Sequence, residues 1–314
     1  MKIVFAEPIG MSNNKKVEFA YEMQKKGHNV VYYDKPNADQ DELHARIADS
    51  DILALSNQPI SSATILKLEK LKMISVAFTG VDHLPMEQCK QKNITVCNAA
   101  GYSTSAVAEL TISMAISLIR KVVELDSSTR TGRTREGFLG GELHGKTFGI
   151  VGLGAIGEKV AQFANAFGCN VIAYTRTPKE VEGVTLVDLE ELFSAADIVS
   201  LHIPATAKTI GIVNSGLISK MKKNAVLINT ARGTLVDYSA LAKSIRSGLI
   251  AGAAVDVYEN EPPIEKDHPL LNVPNTILLP HIGYATTEAI DRRTEIVLEN
   301  IRCWLKNNPQ NVVV

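Results

Sequence analysis

Short apolar runs rich in β-branched residues alternate, along the first part of the chain, with stretches whose apolar residues recur at helical spacing. The runs are KIVFAE, NVVYYD, DILALS, MISVAF and ITVCNA, and segments such as KKVEFAYEMQKK and SATILKLEKLK separate them. Alternation of this kind is typical of βαβ units, in which parallel strands are joined through helices. The pattern therefore predicts an open sheet of five parallel strands.

The alternation starts again at residue 148. FGIVGL, NVIAYT, DIVSLH, AVLINT, GAAVDV and TILLPH follow, again interleaved with helical runs, and predict a second, larger sheet. Residues 103–125 are almost continuously apolar but contain Glu109 and small residues, so we interpret them as a buried helix crossing between domains, not as a membrane span. The last amphipathic stretch, TEAIDRRTEIVLENIRCWLK, is predicted to return to the first domain.

These elements predict an α/β fold with two doubly wound parallel-sheet domains. The chain has 314 residues, which exceeds the size at which one core usually keeps growing and also favours two domains. We place residues 1–99 and 285–314 in one domain and residues 100–284 in the other.

Composition and charge narrow the classes of partner. The formal net charge is -1, from 33 basic and 34 acidic residues, so we expect neither nucleic acid nor a membrane as partner, but a small molecule. The four cysteines form no CxxC pair, which predicts neither disulfides nor a metal site and suits a reducing cytoplasm. The first residues lack the long apolar run of a signal peptide. We expect a soluble cytoplasmic protein.

The most informative motif is FGIVGLGAIGEKVAQFANAFG, residues 148–168. A strand leads into Gly152, Gly154 and Gly157 in the spacing G-x-G-x-x-G, and a helical pattern follows. Backbone amides at such a helix N-terminus suit the pyrophosphate of a dinucleotide. A tight strand-to-helix turn can need glycines for structure alone, but the next strand, NVIAYT, completes a βαβ unit and favours dinucleotide binding.

The residues at the end of that next strand bear on the choice between NAD and NADP. Eighteen residues after Gly157, where an acidic residue usually holds the ribose hydroxyl, the chain has Thr175 and then Arg176. Without a carboxylate there, nothing at this position repels a 2′-phosphate, and Arg176, Thr177 and Lys179 offer donors to it. The alternative is that Arg176 only points into solvent. We predict an NAD(P) cofactor, with NADPH used at least as well as NADH.

Five ordered blocks carry a resemblance to a known family over nearly the whole chain. They are GKTFGIVGLGAIGEKVA, DIVSLHIPAT, NAVLINTARGTLVD, AAVDVYENEPP and LLPHIGYAT. The chain resembles the D-isomer-specific 2-hydroxyacid dehydrogenases, which include glyoxylate and hydroxypyruvate reductases and phosphoglycerate dehydrogenases. The resemblance implies a Rossmann nucleotide-binding domain inserted into a flavodoxin-like substrate domain, with the active site in the cleft between them.

The resemblance also implies three catalytic residues. Arg232, in NTARG, matches the arginine that holds the substrate carboxylate and polarises the keto oxygen. His281, in LPHIG, matches the general acid/base, and Glu261, in ENEPP, matches the carboxylate that pairs with it. An arginine that ties a loop and an exposed loop glutamate are the structural alternatives. Relatives that oxidise formate carry glutamine where Glu261 stands, so formate is not expected.

Further contacts are implied for substrate and cofactor. Thr79, Gly80 and Val81, in VAFTGVDH, match the loop whose backbone amides meet the substrate carboxylate, although a plain glycine turn would look similar. Asp256 matches a carboxylate near the nicotinamide carboxamide, and the alternative is an aspartate that caps a turn at a strand end. The implied cofactor contacts are Gly152, Leu153, Gly154, Ala155, Ile156, Gly157, Thr175, Arg176, Thr177, His202, Pro204, Thr230, Ala231 and Asp256.

Together these observations predict a D-2-hydroxyacid dehydrogenase that acts as a 2-oxoacid reductase. Glyoxylate, hydroxypyruvate, pyruvate and branched or aromatic 2-oxoacids are all candidate substrates. One alternative is a phosphoglycerate dehydrogenase without a regulatory domain, and the absence of such an extension counts against it. A corepressor that senses NAD(H) is the alternative from another class, and we expect it to need a long tail after the closing helix.

The family resemblance implies a homodimer formed largely through the nucleotide-binding domains. The apolar helix around residues 106–122 is then expected in or near the interface. A helix buried in the core of one subunit would look the same in sequence.

Overall fold

The computed structural model describes residues 1–261 and 263–314. These residues form two compact units. One unit comprises Met1–Ser103 and Ala285–Val314, and the other comprises Thr104–Tyr284. Each unit contains one parallel sheet, which confirms the predicted fold class.

The first unit is built on five strands in the order β2-β1-β3-β4-β5, all parallel. Its strands are β1 Lys2–Phe5, β2 Asn29–Tyr32, β3 Ile52–Leu55, β4 Met73–Val76 and β5 Thr95–Cys97. Its helices are α1 Asn13–Lys25, α2 Gln40–Ile47, α3 Ser62–Lys67, α4 Met86–Gln91 and the closing helix α11 Thr287–Leu305. As predicted, the closing helix returns to this unit, where Val297 and Ile301 are buried against β1 residues Ile3 and Phe5.

The second unit has seven parallel strands in the order β12-β11-β10-β9-β6-β7-β8. They are β6 Thr147–Val151, β7 Asn170–Tyr174, β8 Val184–Leu186, β9 Ile198–Leu201, β10 Val226–Asn229, β11 Gly252–Val255 and β12 Thr276–Leu278. Its helices are α5 Thr104–Ile119, α6 Val122–Arg130, α7 Ala155–Ala166, α8 Leu189–Ala195, α9 Ser215–Ile218 and α10 Tyr238–Arg246, with a 3-10 turn at Gly233–Leu235.

Six of these seven strands were predicted, and β8 was not. It is three residues long, lies at the edge of the sheet beside β7, and two of its residues are exposed. A strand so short and so little buried leaves no apolar run in the sequence.

The prediction of one continuous helix over residues 103–125 is wrong at its C-terminal end. Helix α5 stops at Ile119, Lys121 adopts a left-handed conformation with φ of 55°, and a separate helix α6 begins at Val122. The backbone N–H of Gly141 donates to the carbonyl of Ile119 over 2.8 Å and satisfies one of the last carbonyls of α5. This partner lies about twenty residues further along the chain, where helical periodicity cannot reveal it.

Helix α5 is buried against the second sheet, as its apolar character predicts. Ala108, Ile112 and Ala115 pack with the β6 residues Phe148 and Ile150. Its exposed side carries Glu109 and Ser113. No helix within residues 1–261 and 263–314 is long and apolar enough to cross a membrane.

Candidate active site

The ends of six strands in the second unit lie side by side. In the parallel register Leu278 pairs with Val255, Val255 with Asn229, Asn229 with Leu201, Leu201 with Val151, and Val151 with Tyr174. The predicted cofactor and catalytic residues of this unit all lie just after these strand ends. Because ligands of open α/β sheets bind outside the carboxyl ends of the strands, the carboxyl ends of these six strands form the candidate site, which we call the sheet edge below.

The glycine-rich turn follows β6, at the point between β6 and β9 where the strand order reverses. Gly152 has φ of 103°, and a Cβ there would lie 2.6 Å from the carbonyl oxygen of His202. At Gly157 a Cβ would lie only 1.9 Å from the carbonyl oxygen of Gly152. Glycine is therefore needed at both positions, one for backbone conformation and one for helix-to-strand packing.

Gly154 differs from the other two, because nothing lies within 4 Å of a Cβ built on it. It is the N-cap of α7 and has no side chain of its own with which to satisfy the first backbone N–H groups of that helix. The open space and the free helix N-terminus fit a pyrophosphate. The side chain of Leu153 is buried in the core, so only its backbone can face a cofactor here.

The segment after β7 is exposed at Arg176 and Thr177, and Thr175 is partly buried. The hydroxyl of Thr175 donates to the carbonyl of Thr177 over 3.4 Å. Arg176 has no hydrogen-bond or ion-pair partner among the described residues, whereas Lys179 forms an ion pair with Glu158 of helix α7. The predicted donors are therefore not equivalent, because one cation of the segment is already paired.

His202 and Pro204 follow β9. The Nε2 atom of His202 lies 2.7 Å from the hydroxyl of Ser200, and its carbonyl oxygen faces Gly152. Burial lowers the pKa of His202 to about 3. The ring is consequently neutral at physiological pH and supports the glycine-rich turn without adding a charge to it.

The lowered pKa of His202 predicts a loss of stability in acid. Below pH 6.5 the unfolded chain takes up a proton at this histidine and the folded chain does not, until the pH approaches about 3. The free energy of unfolding should therefore fall with decreasing pH by at most about 1.4 kcal/mol per pH unit from this residue alone. Urea unfolding at pH 7 and pH 5 would show a smaller pH difference for His202→Asn than for the unmodified protein. Equal pH differences in the two proteins would contradict the assignment.

Arg232 follows β10 on a loop that is held by buried polar groups. The side-chain amide of Asn229 accepts a hydrogen bond from the backbone N–H of Ala231 over 3.1 Å and donates to the carbonyl of Arg232 over 2.9 Å. It also donates to the hydroxyl of Tyr238, which donates to the carbonyl of Val257 over 2.6 Å. The chain of bonds fixes the loop of Arg232 to the segment that follows β11.

Gly233 brings the two loops into direct contact. A Cβ at this position would lie 2.0 Å from the carbonyl carbon of Tyr258, so the backbone of the Arg232 loop packs on the backbone that leads to Glu261. Thr230 is tied in turn to helix α5, since its hydroxyl lies 3.2 Å from that of Thr111. The backbone of the loop that carries Arg232 is therefore held on several sides.

Glu261 and His281 form the central pair of the site. The Nδ1 atom of His281 lies 2.8 Å from Oε1 of Glu261, and the backbone N–H of Tyr258 donates to Oε2 over 3.2 Å. Because a carboxylate oxygen accepts, Nδ1 carries the proton and Nε2 is left for another partner. The side chains are 38% exposed for His281 and 21% exposed for Glu261, so the pair is sheltered but accessible.

Asp256 acts on the backbone next to this histidine. Its Oδ1 and Oδ2 atoms accept hydrogen bonds from the N–H groups of Ile282 over 2.8 Å and Gly283 over 2.7 Å. His281 itself has φ of 56°, an uncommon conformation for a residue with a side chain. Burial raises the pKa of Asp256, and the two backbone hydrogen bonds oppose that rise. Asp256 thus binds the backbone of the segment after β12, and a contact of Asp256 with a nicotinamide carboxamide stays a prediction.

The predicted substrate loop belongs to the first unit, after β4. Thr79 is exposed, Gly80 and Val81 are partly buried, and the side chain of Asn98 donates to the carbonyl of Thr79 over 2.9 Å. A hydrogen bond of 3.2 Å from the N–H of Ile60 to the carbonyl of His83 joins this loop to the one after β3. The residues thus lie on an ordered loop, and their role toward a substrate stays a prediction.

Sequence reasoning did not identify Asn229, Tyr238 or Glu158 as parts of the site. A buried asparagine at the end of an apolar strand is a usable signal, because a buried amide needs hydrogen-bond partners and here finds them in the loop that follows. Tyr238 and Glu158 act across loops far apart in the sequence, and no local pattern indicates their contacts.

A glycine-rich turn at the switch point of a parallel sheet, with an arginine and a carboxylate–histidine pair along the same edge, defines a dinucleotide-binding protein with acid–base chemistry beside the cofactor site. Residues 112–283 match the model of the D-isomer specific 2-hydroxyacid dehydrogenase, NAD binding domain. The chain belongs to this family.

Similar proteins cover the chain in different ways. It is 43% identical over 282 residues to a D-3-phosphoglycerate dehydrogenase of Methanocaldococcus jannaschii, which covers 87% of this chain but only 53% of that relative. It is 34% identical to a glyoxylate reductase of Thermococcus litoralis, covering 99% of this chain and 96% of the relative. The chain thus spans about half of the first relative and nearly all of the second.

Among solved structures, an acyclic imino acid reductase in complex with NADPH and D-Arg matches with a TM-score of 0.91 and 33% identity, over 100% of both chains. The likeness therefore includes both units of the fold.

Proposed function

We propose that the protein is an NAD(P)-dependent D-2-hydroxyacid dehydrogenase that reduces small 2-oxoacids. The observation that carries the proposal is the Glu261–His281 pair, joined over 2.8 Å on the same sheet edge as the glycine-rich turn and Arg232. The nearly full-length likeness to the glyoxylate reductase supports it.

The cofactor, when bound, supplies a hydride to C2 of the oxoacid, and the residues of the chain supply position and protons. Arg232 holds the substrate carboxylate with its forked guanidinium and polarises the keto oxygen. In its doubly protonated form His281 donates the Nε2 proton to that oxygen, while Glu261 accepts the hydrogen bond from Nδ1 and keeps the ring in place; the ring is left neutral and takes up a new proton from solvent. Asp256 holds the backbone after His281, so the imidazole keeps its direction. The loop of Thr79, Gly80 and Val81 is proposed to add backbone amides to the substrate carboxylate.

A panel of 2-oxoacids tests this function. Glyoxylate, hydroxypyruvate, pyruvate, a branched 2-oxoacid and phosphohydroxypyruvate would be offered with NADPH and with NADH while nicotinamide absorbance is followed. We expect turnover with one or more of the small acids and little with the phosphorylated one. An arm with D-arginine and NADP⁺ checks the chemistry of the imino acid reductase. Binding of cofactor without turnover of any substrate would favour the corepressor-like alternative.

We further propose that NADP(H) is used at least as well as NAD(H). Thr175 brings no carboxylate to the ribose, and Arg176 is exposed and has no partner among the described residues, so its guanidinium is available to a 2′-phosphate. The NADPH bound to the acyclic imino acid reductase is consistent with this choice.

Replacing Arg176 with alanine is expected to raise KM for NADPH by about tenfold, because a charge-assisted hydrogen bond contributes on the order of 1.5–3 kcal/mol. KM for NADH should change by less than about twofold. Lys223→Ala is the matched control, since Lys223 is exposed and lies just before β10, at the amino ends of the strands and away from the candidate site. A strong preference for NADH that Arg176→Ala leaves unchanged would rule out the role of the arginine.

We also propose that the protein is a homodimer formed through the second unit. Helices α5 and α7 leave a groove of about 420 Å³ between them, lined by Ile112, Ile116, Phe163 and Phe167, and Phe167 is 48% exposed. Glu109, Ser113 and Ser117 also line the groove, and an apolar patch rimmed by polar residues is a usual feature of a subunit interface.

Light scattering at micromolar concentration should therefore give a mass near twice the 34.0 kDa of one chain. Ser113→Glu, which places a charge on the exposed rim of the groove, should shift the mass toward that of one chain. Ser194→Glu on helix α8, also at an exposed serine, should not. A mass of one chain for the unmodified protein would refute the proposed dimer.

A further inference from the structure

Glu158 places a carboxylate near the segment after β7, where Thr175 stands instead of the acidic residue that is usual in dinucleotide-binding folds. It lies in the first turn of α7, where its backbone N–H donates to the carbonyl of Gly154 over 2.9 Å. Its side chain reaches across to the segment after β7 and forms an ion pair with Lys179. The pair thus connects the start of the dinucleotide-binding helix with the segment that carries Thr175 and Arg176.

The pair changes the charge that the segment offers to a ligand. Lys179 is 41% exposed and Glu158 is 37% exposed, so both remain within reach of solvent and of a bound anion. While Lys179 is held by Glu158, its ammonium is partly neutralised, and Arg176 is the cation of the segment that has no partner among the described residues. An exposed ion pair of this kind is weak enough for another anion to compete for the cation.

We propose that Glu158 is a specificity-determining residue that limits the affinity for the 2′-phosphate of NADP(H) by holding Lys179. This rests on the proposed function, in which the glycine-rich turn binds a nicotinamide dinucleotide and the end of β7 meets its ribose. Removing the charge of Glu158 frees Lys179 to join Arg176 at the phosphate. NAD(H), which has a hydroxyl at that position, gains nothing from the released lysine.

Calorimetric binding of two cofactor fragments tests the proposal without relying on turnover. 5′-AMP and 2′,5′-ADP differ in the 2′-phosphate that the released lysine would contact. Glu158→Gln, which keeps the size of the side chain, should tighten binding of 2′,5′-ADP about three- to tenfold, in line with the modest free energy of an exposed charge pair. Binding of 5′-AMP should stay within about twofold.

A double-mutant cycle identifies Lys179 as the intermediary. In a Lys179→Met background the gain from Glu158→Gln should shrink to less than about twofold, because no lysine is left to release. Glu180→Gln is the matched control, since Glu180 is exposed in the same segment and has no ion-pair partner among the described residues. It should leave both fragments unchanged.

The possible outcomes separate this proposal from the one on which it rests. An equal gain in both backgrounds, or no gain from Glu158→Gln, overturns the role of the ion pair while 5′-AMP binding continues to support the nucleotide site. A gain of the same size for 5′-AMP also overturns it. Failure of the unmodified protein to bind either fragment overturns the nucleotide assignment, and the role of Glu158 with it.

Discussion

Replacing His281 with alanine is expected to lower kcat about 10²- to 10⁴-fold, the range that a positioned general acid usually contributes. When the imidazole is doubly protonated, its Nε2 can give a proton to a keto oxygen while its Nδ1 is held by Glu261 over 2.8 Å. The affinity for cofactor should stay within about twofold. Steady-state rates with the preferred 2-oxoacid, and cofactor binding followed by fluorescence, measure both quantities.

The backbone at His281 requires a second variant. Its φ of 56° is held by the hydrogen bonds that Asp256 accepts, and alanine in this conformation adds strain. Asparagine tolerates the left-handed region better, so His281→Asn should fold like the unmodified protein and still lose the activity. His144→Ala is the control, since His144 is exposed and precedes β6, at the amino ends of the strands and away from the candidate site. Near-normal turnover of both His281 variants across the pH range would show that His281 is not the residue that transfers the proton.

Much of the fold could be predicted from the sequence because buried parallel strands leave continuous apolar runs. All five strands of the first sheet and six of the second were indicated by such runs, and the glycine spacing marked the turn after β6. The turn was predictable because two of its positions require glycine: a Cβ at Gly157 would collide with the carbonyl oxygen of Gly152, and a Cβ at Gly152, which has a positive φ, would collide with that of His202.

The break between α5 and α6 shows where local patterns stop being sufficient. The apolar character of residues 103–125 continues past the point at which the helix ends, and at that point the N–H of Gly141, from a distant segment, donates to the carbonyl of Ile119. Periodicity reports which face of a segment is buried, but it does not report a hydrogen bond to a distant segment.

The candidate site shows the same division. Arg232, Glu261 and His281 could be chosen from the sequence through a family resemblance, and the structure shows the contact between Glu261 and His281 that a role in proton transfer needs. The contacts that hold them could not be predicted, because the bonds of Asn229 to Tyr238 and of Asp256 to the backbone of Gly283 join loops that follow different strands. The Glu158–Lys179 pair likewise joins a helix to a loop.

The loops that follow different strands carry different kinds of group. The loops after β6 and β7 present open backbone and a cation, Arg176, that has no partner in the described part of the chain, and both features suit the phosphates of a cofactor. The loops after β10, β11 and β12 present an arginine, a carboxylate and a histidine held by partly buried hydrogen bonds. We expect rigid support to matter more for the second group, since the roles proposed for it, proton transfer and carboxylate binding, require defined geometry.

The second large effect is expected at Arg232. Arg232→Ala should lower kcat/KM for the 2-oxoacid about 10²- to 10³-fold, because truncating one partner of a hydrogen-bonded charge pair costs on the order of 2–5 kcal/mol. The guanidinium donates to the carbonyl of Ala231 over 2.8 Å, but the loop should keep its conformation in the variant, since Asn229 holds the backbone of Ala231 and Arg232 independently of that bond. Initial rates over a range of oxoacid concentrations at saturating cofactor give kcat/KM directly.

Arg232→Lys separates charge from geometry at the same position. Lysine keeps the positive charge but cannot form two parallel hydrogen bonds with a carboxylate, so its kcat/KM should lie between those of the alanine variant and the unmodified protein, about tenfold or more below the latter. Cofactor binding should be unchanged in both variants, which distinguishes a lost substrate contact from a damaged loop. If Arg232→Ala retained kcat/KM within about threefold of the unmodified protein, the arginine would be a structural residue of the loop, and the substrate carboxylate would have to be held by other groups.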